Sequence, residues 1–321
     1  VYKIGYQRIL PYALHIIMIS ALLLVIPRFF PPVKGAYRWI RLPAGISVQP
    51  SELAKITIIL FLANYCALRQ SSLNDWKNRA IVFSALFLMA GLVLFGKDLG
   101  TTVLICAVAW IIFFVAGMNL RVILGIPAVL IPIGLCYIRF FDEERWSRIT
   151  SFSTPESSPE GGGYQLLNSL MALGSGHWTG LGFSESKMKA YYLPEAHTDF
   201  ILSIVGEELG FICLSIVIIL YITLFLCSIY IAFRSKHRQG LLLAVGLGSL
   251  LALQAIINIG VISGFFPTKG MPAPFISYGG SNILMAWTAV GLILSVAGSN
   301  ENIHHQPDDS INFKTNDAHF E

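Results

Sequence analysis

The stretch that decides the fold is DFILSIVGEELGFICLSIVIILYITLFLCSIYIAFR, Asp199 to Arg234. It is apolar enough to cross a bilayer and too long to do so as one helix. Its apolar run, about 200–233, has 34 residues, which at ~1.5 Å each give roughly 51 Å against a hydrocarbon core of ~30 Å. Such a helix must protrude or break, and Gly206 and Gly210 are the places to look. Glu207 and Glu208 lie between those glycines, although a charge at the centre of a bilayer costs roughly 2.5–3.5 kcal/mol. Upstream, Glu195, His197 and Asp199 sit at the mouth of the same run.

Seven further runs of spanning length place this stretch in an all-α polytopic membrane protein. They cover about 9–27, 51–68, 80–96, 101–118, 122–140, 241–264 and 281–298, which makes eight spans in all. Composition agrees: 12% of the 321 residues are charged, 55% are hydrophobic, and the mean hydropathy is +0.67. Soluble domains carry about 25% charged residues. Short alternating segments of the kind a β-barrel needs do not dominate. The net charge of +4 is small and dispersed, and it gives no footprint for nucleic acid. Residues 1–298 therefore read as one membrane domain with a large loop at 141–199. The polar tail at 299–321 reads as disordered and cytoplasmic.

Cys66, Cys106, Cys136, Cys213 and Cys227 all lie in apolar runs without metal-ligand spacing. They are expected to be small buried hydrophobes. The first apolar stretch is of spanning length, so it reads as a helix and not as a cleavable signal. Lys and Arg divide ten to twelve between the two faces. Discounting the long loop leaves ten to seven, which weakly places 28–50, 141–199 and 265–280 outside.

The outer face carries the chemistry. VKGAYRWIRLP places Lys34, Arg38 and Arg41 beside Trp39. That suits either an interfacial belt or an anion site, since Lys and Arg grip phosphate by charge-assisted bonds. QPSELAK reads as the start of a helix with Pro50 in its first turn, and Glu52 and Lys55 at i,i+3 can pair. Asp98 opens the span after GKDLG. YQLLNSLMALGSGHWTGLGF is amphipathic and too polar to span, so it is expected in the interface or across the bundle top. PTKGMPAPFISYGGSN, with three prolines, three glycines and Lys269, suits an anion site at a helix N-terminus or a plain re-entrant turn. Asp199 suits either a base at the membrane boundary or the cap of the next helix. Glu207 and Glu208 are expected to line a polar cavity or to pair with Lys55 or Lys97.

Taken together and in order, KGAYRWI, QPSELAK, DLGT, GYQLLNSLMALGSG, PEAHTDFI, GEELG and PTKGMPAPFISYGGSN resemble the SEDS family of polytopic glycosyltransferases, FtsW and RodA. They span nearly all of 33–298. PEAHTDFI and PTKG are closer to its division branch than to its elongation branch. Lys97 stands where a proline is usual, and Tyr191 where some members carry a glutamate. The family has ten spans, so the resemblance implies two more before Val1.

The resemblance further implies polymerisation of lipid II into peptidoglycan at the division septum of the bacterial inner membrane. Asp199 would be the base. Lys34, Arg38, Lys55, His197 and Lys269 would bind substrate, with Glu52, Asp98, Glu195, Glu207 and Glu208 in support. A diphosphate leaving group needs positive charge more than a general acid, from Arg, Lys or a divalent cation such as Mg or Mn. The acceptor hydroxyl needs one base, unlike the carboxyl pair of glycosidases. The implied partners are a class B penicillin-binding transpeptidase and other division proteins. A lipid II flippase and a non-catalytic division scaffold are the competing readings.

Overall fold

The computed structural model describes residues 2–32, 36–41, 47–143, 146–147, 150, 162–267 and 270–301. Lys34, Lys269 and the tail beyond 301 lie outside these residues. Eight helices are long and apolar enough to span a membrane: α1 (Tyr6–Phe29), α2 (Pro50–Leu68), α3 (Trp76–Phe95), α4 (Leu99–Ala116), α5 (Leu120–Phe141), α8 (Ile201–Arg234), α9 (Arg238–Ile262) and α10 (Gly280–Glu301). Two shorter helices, α6 (Gly162–Ser175) and α7 (Lys187–Tyr191), belong to the long loop. A two-residue antiparallel pair, β1 (Ile40–Arg41) with β2 (Ser47–Val48), interrupts the 28–50 segment.

Local chemistry sets the helix ends. Pro50 opens α2 as expected, because a residue there has no intrahelical use for an N–H. Asp98 caps α4 by accepting from Thr101 N at 3.2 Å, and Asn119 caps α5 through Arg121 N at 3.0 Å. Helices α2 and α9 are central, each 72% buried along its spanning window, whereas α5 is only 6% buried and stands at the edge. Apolar side chains facing lipid need no protein cover, so an apolar run does not imply burial. That corrects the expectation for the cysteines. Cys66 is buried and Cys106 and Cys213 are half-buried, but Cys136 and Cys227 are exposed.

Helix α8 breaks at Gly210, where φ is 79° and ψ 178°. That region of backbone space is essentially reserved for glycine. The break leaves 24 residues, 211–234, or about 36 Å, to cross the membrane. It also frees two carbonyls and two N–H groups, which are costly to leave buried without partners. The 177–182 segment satisfies all four. Leu181 N and Gly182 N donate to Glu207 O and Glu208 O at 3.0 Å each, while Phe211 N and Ile212 N donate to His177 O and Trp178 O at 3.0 and 3.2 Å. Here GSGHWTGLGF is a plug in the helix break, and α6 before it packs on α8 and α9.

Approach of the two backbones is close. A methyl on Gly210 would run into the main chain of Gly180, Trp178 and Thr179, and one on Gly180 into Glu208 O. By contrast, Gly91 in α3 has open space around it. Gly210→Ala should therefore cost at least ~1–3 kcal/mol from backbone strain alone and lower the thermal midpoint of the detergent-purified protein. Gly91→Ala should be neutral or slightly stabilising. Equal midpoints for the two variants would show that the plug does not hold the break.

Candidate functional site

Three polar layers gather at the end of the bundle where α2, α4, α8 and α10 begin and α9 finishes. The outermost centres on Asp98, 5% exposed. Its carboxylate accepts from Thr101 N, Thr101 Oγ1 at 2.9 Å, Ser51 Oγ at 3.1 Å and Gln49 Nε2 at 3.3 Å. Arg38 lies 3.9 Å from Asp98 Oδ1 and donates to the Lys97 carbonyl, which a positive φ of 63° at Lys97 turns towards it. A small cavity of about 10 Å³ beside Arg38 is lined by Leu24, Tyr37, Ser51, Gly96 and Asp98. Arg28 stacks over Tyr37 nearby, 4.2 Å from its ring centre.

The second layer is the predicted Glu52–Lys55 pair, at 2.8 Å and with both side chains 4% exposed. Lys55 Nζ also donates to Gln254 Oε1 at 2.9 Å, and Gln254 Nε2 donates to Asn282 Oδ1 at 2.9 Å. This chain joins α2, α9 and α10 and lines a second small cavity of about 10 Å³.

The third layer holds the irregular 270–279 segment. Four consecutive carbonyls there each accept from a different side chain. Asn258 reaches Met271 O at 2.7 Å, Gln254 reaches Pro272 O at 2.8 Å, Asn282 reaches Ala273 O at 3.3 Å and Tyr221 reaches Pro274 O at 2.6 Å. Pro272 and Pro274 have no N–H to satisfy, and Ala273 N donates to Ser277 Oγ at 2.7 Å. Buried non-helical backbone is stable when protein groups satisfy it in this way. Sequence reasoning missed Tyr221, Gln254, Asn258, Ser277 and Asn282. The available signal was two amides at i,i+4 in the apolar run of α9.

Asp199 is half-buried at the edge of this layer. Its carboxylate lies against Gly270, where a Cβ would come within 2.6 Å of Oδ2. Asn258 Nδ2 donates to the Asp199 carbonyl at 2.8 Å, Ser277 Oγ to Thr198 O, and Tyr278 N to His197 O at 3.0 Å. The side chain of His197 is exposed. Glu195 takes a positive φ of 59° and accepts from Thr198 Oγ1 at 3.0 Å. The cap position of α8 falls on Phe200, with no side-chain cap bond.

Glu207 and Glu208 are buried, as expected of charges in a span, but their partners differ from those foreseen. Neither pairs with Lys55 or Lys97. Glu207 accepts from Ser186 Oγ and from Lys187 N at 3.2 Å, holding the start of α7, and Glu208 lies 3.5 Å from Lys189. The break at Gly210 brings the loop down to them. Among the described residues no three His, Cys, Asp or Glu converge to hold a metal ion.

Comparison with known proteins fits this geometry. The FtsW, RodA and SpoVE family, described as cell cycle proteins, matches residues 2–302. The chain belongs to this family. It is 40% identical over 306 residues to a probable peptidoglycan glycosyltransferase FtsW of Trichlorobacter lovleyi, covering 92% of this chain and 78% of that protein. It is 41% identical over 286 residues to the protein of the same name from Acinetobacter baylyi, covering 87% and 70%. The fold matches a chain of a peptidoglycan synthase complex that coordinates polymerization and crosslinking, with a TM-score of 0.76 at 23% identity over 92% of this chain and 83% of that one. It also matches the rod shape determining protein RodA of Thermus thermophilus, with a TM-score of 0.67 at 23% identity over 95% and 83%. The SEDS-type polytopic fold expected from the motifs is thus present.

Removing one partner of a buried ion pair leaves the other charge uncompensated, at a cost of about 3–5 kcal/mol. Lys55→Met should accordingly reduce folded yield and thermal midpoint sharply. Adding Glu52→Gln in the same chain should restore most of the loss. A single variant as stable as the parent would show that the pair carries no structural weight.

Proposed function

We propose that this multi-pass inner-membrane protein is a peptidoglycan glycosyltransferase that polymerises lipid II at the division septum. The observation that carries the reading is the anchoring of Asp199. Its main chain is tied to α9 and its neighbours to the 270–279 segment, and its half-buried carboxylate is set against a glycine at the mouth of the bundle. The names of the similar proteins support the reaction class. The motifs shared with the division branch support the septum.

In the proposed reaction, the acceptor sugar hydroxyl attacks the anomeric carbon of a lipid-diphosphate-linked glycan. The new C–O bond forms as the bond to the diphosphate breaks. Undecaprenyl diphosphate leaves with the bonding electron pair, and Asp199 takes the hydroxyl proton. Positive charge eases departure of the diphosphate. Arg38 is assigned to it, and the motif resemblance adds Lys34 and Lys269, which lie outside the described residues. Lys55, already committed to Glu52 and Gln254, shapes the floor of the site, while His197 is placed to meet substrate at the rim. Glu195 orders the turn before Asp199. Glu52, Asp98, Glu207 and Glu208 brace helices and loop.

The outer-face placement of 28–50, 141–199 and 265–280 follows from the charge distribution and the motif resemblance. A class B penicillin-binding transpeptidase is the proposed partner, with other division proteins around it. The synthase complex to which the fold is similar supports that pairing.

Asp199→Asn keeps shape and removes the proton acceptor. Glycan polymer from lipid II should fall about 10²–10⁴-fold, with abundance and lipid II binding retained. Near-normal polymer would end the catalytic assignment, and a wild-type protein that moves lipid II without forming polymer would favour the flippase. For the diphosphate contact, Arg38→Ala should weaken lipid II binding and Arg38→Lys should restore only part of it, since the bidentate fork is lost. Equal affinity in all three proteins would confine Arg38 to bracing Asp98 and Lys97.

A further inference from the structure

We infer that Asn258 is a positioning residue for the reaction, fixing the height and direction of the Asp199 carboxylate from inside the bundle. The inference rests on the reading of Asp199 as the base. Asn258 lies on α9, one turn beyond Gln254, and is 1% exposed. Its Nδ2 donates to two carbonyls on different segments: Asp199 O at 2.8 Å, just ahead of α8, and Met271 O at 2.7 Å, in the irregular stretch before α10. An amide nitrogen has two protons, and both are used. The orientation of the amide is forced, because the flipped form would set Oδ1 against two carbonyl oxygens.

The location of these bonds gives them a role beyond holding a loop. The segments 197–199 and 270–278 are already joined by Ser277 to Thr198 O and by Tyr278 N to His197 O. Asn258 adds a third link at Asp199 itself. Its other acceptor, Met271, adjoins Gly270, the residue against which the Asp199 carboxylate rests. The one amide therefore fixes both the main chain that carries the carboxylate and the surface that limits its swing. Asn258 Oδ1 is buried and has no hydrogen-bond partner among the described residues. A side chain chosen only to bury well would not leave an amide acceptor unused. The double donation is thus the feature that the position requires.

A misplacement of about 1 Å can cost about 10²-fold in rate. The test uses the full chain with lipid II, comparing kcat, KM and folded fraction for the parent, Asn258→Ser and Asn258→Gln. Serine has one proton and cannot serve both carbonyls, so kcat per folded molecule should fall about 10–100-fold, with KM for lipid II within about 2-fold. Glutamine keeps the amide on a longer arm and should fall between. When Asp199→Glu has already displaced the carboxylate, adding Asn258→Ser should cost at most about 2-fold more, as expected of two residues acting through one function. Parental kcat per folded molecule in both variants would overturn the inference. So would losses that multiply in full with Asp199→Glu, or a failure of both variants to fold, which would make Asn258 purely structural. Polymer formation by Asp199→Asn would instead sink the reading of the base. The two failures are therefore distinguishable.

Discussion

A backbone N–H or carbonyl released from a helix inside a packed bundle, away from water, must find a partner within the protein. The described residues release such groups at two places at the same end of the bundle. At the Gly210 break, backbone answers backbone, and four groups freed from α8 are taken by the 177–182 segment. In the 270–279 stretch, side chains answer backbone, and four successive carbonyls are each held by an amide or a phenol. The two solutions differ in what they permit. A backbone plug demands glycines at the contact, whereas a side-chain cradle leaves the loop sequence freer and places the demand on α8, α9 and α10. Together they let irregular chain reach below the surface without opening the bundle.

The buried charges obey the same requirement in another form. Glu52 meets Lys55, Glu208 meets Lys189, and Glu207 and Asp98 each gather several donors. Most of these groups also join one element to another. Asp98 ties the start of α4 to the start of α2, Gln254 ties α2 to α10 through α9, and Glu207 ties α8 to α7. Polar groups that would be costly next to lipid thus become the stitches between helices, and they set the register in which the helix ends meet.

The fold was legible because lipid imposes a simple length rule. Each of the eight apolar runs became a helix of spanning length, and the excess length of the 199–234 run foretold the break at Gly210. Glu52 and Lys55 were legible as a pair because i,i+3 spacing puts them on one helix face. The partners of Glu207 were not, since they come from a loop segment whose approach depends on the break and whose contributions are partly backbone N–H groups. Backbone donors carry no sequence signature. Gln254 and Asn258 carried one, an amide pair at i,i+4 in an otherwise apolar span. Their targets are main-chain carbonyls 18 and 13 residues further on, which no side-chain pattern marks.

The distribution of carboxylates bears on which of them could act as a base. A general base must accept a proton during each turnover and lose it again. Glu52 cannot do so without weakening its bond to Lys55, and Asp98 cannot without loosening the start of α4. Glu207 would lose its hold on the start of α7. In each case a carboxylate oxygen holds another group in place. Asp199 is held through its main chain. It is half-buried at the mouth of the bundle, and its neighbourhood is built largely from main-chain carbonyls that hydrogen-bond to Asn258, Ser277 and the Tyr278 N–H. Those bonds persist whatever the state of the carboxyl group. Anchoring a residue through its backbone fixes where its side chain starts without calling on the carboxyl group itself, and the proposal that Asp199 is the base rests on that anchoring.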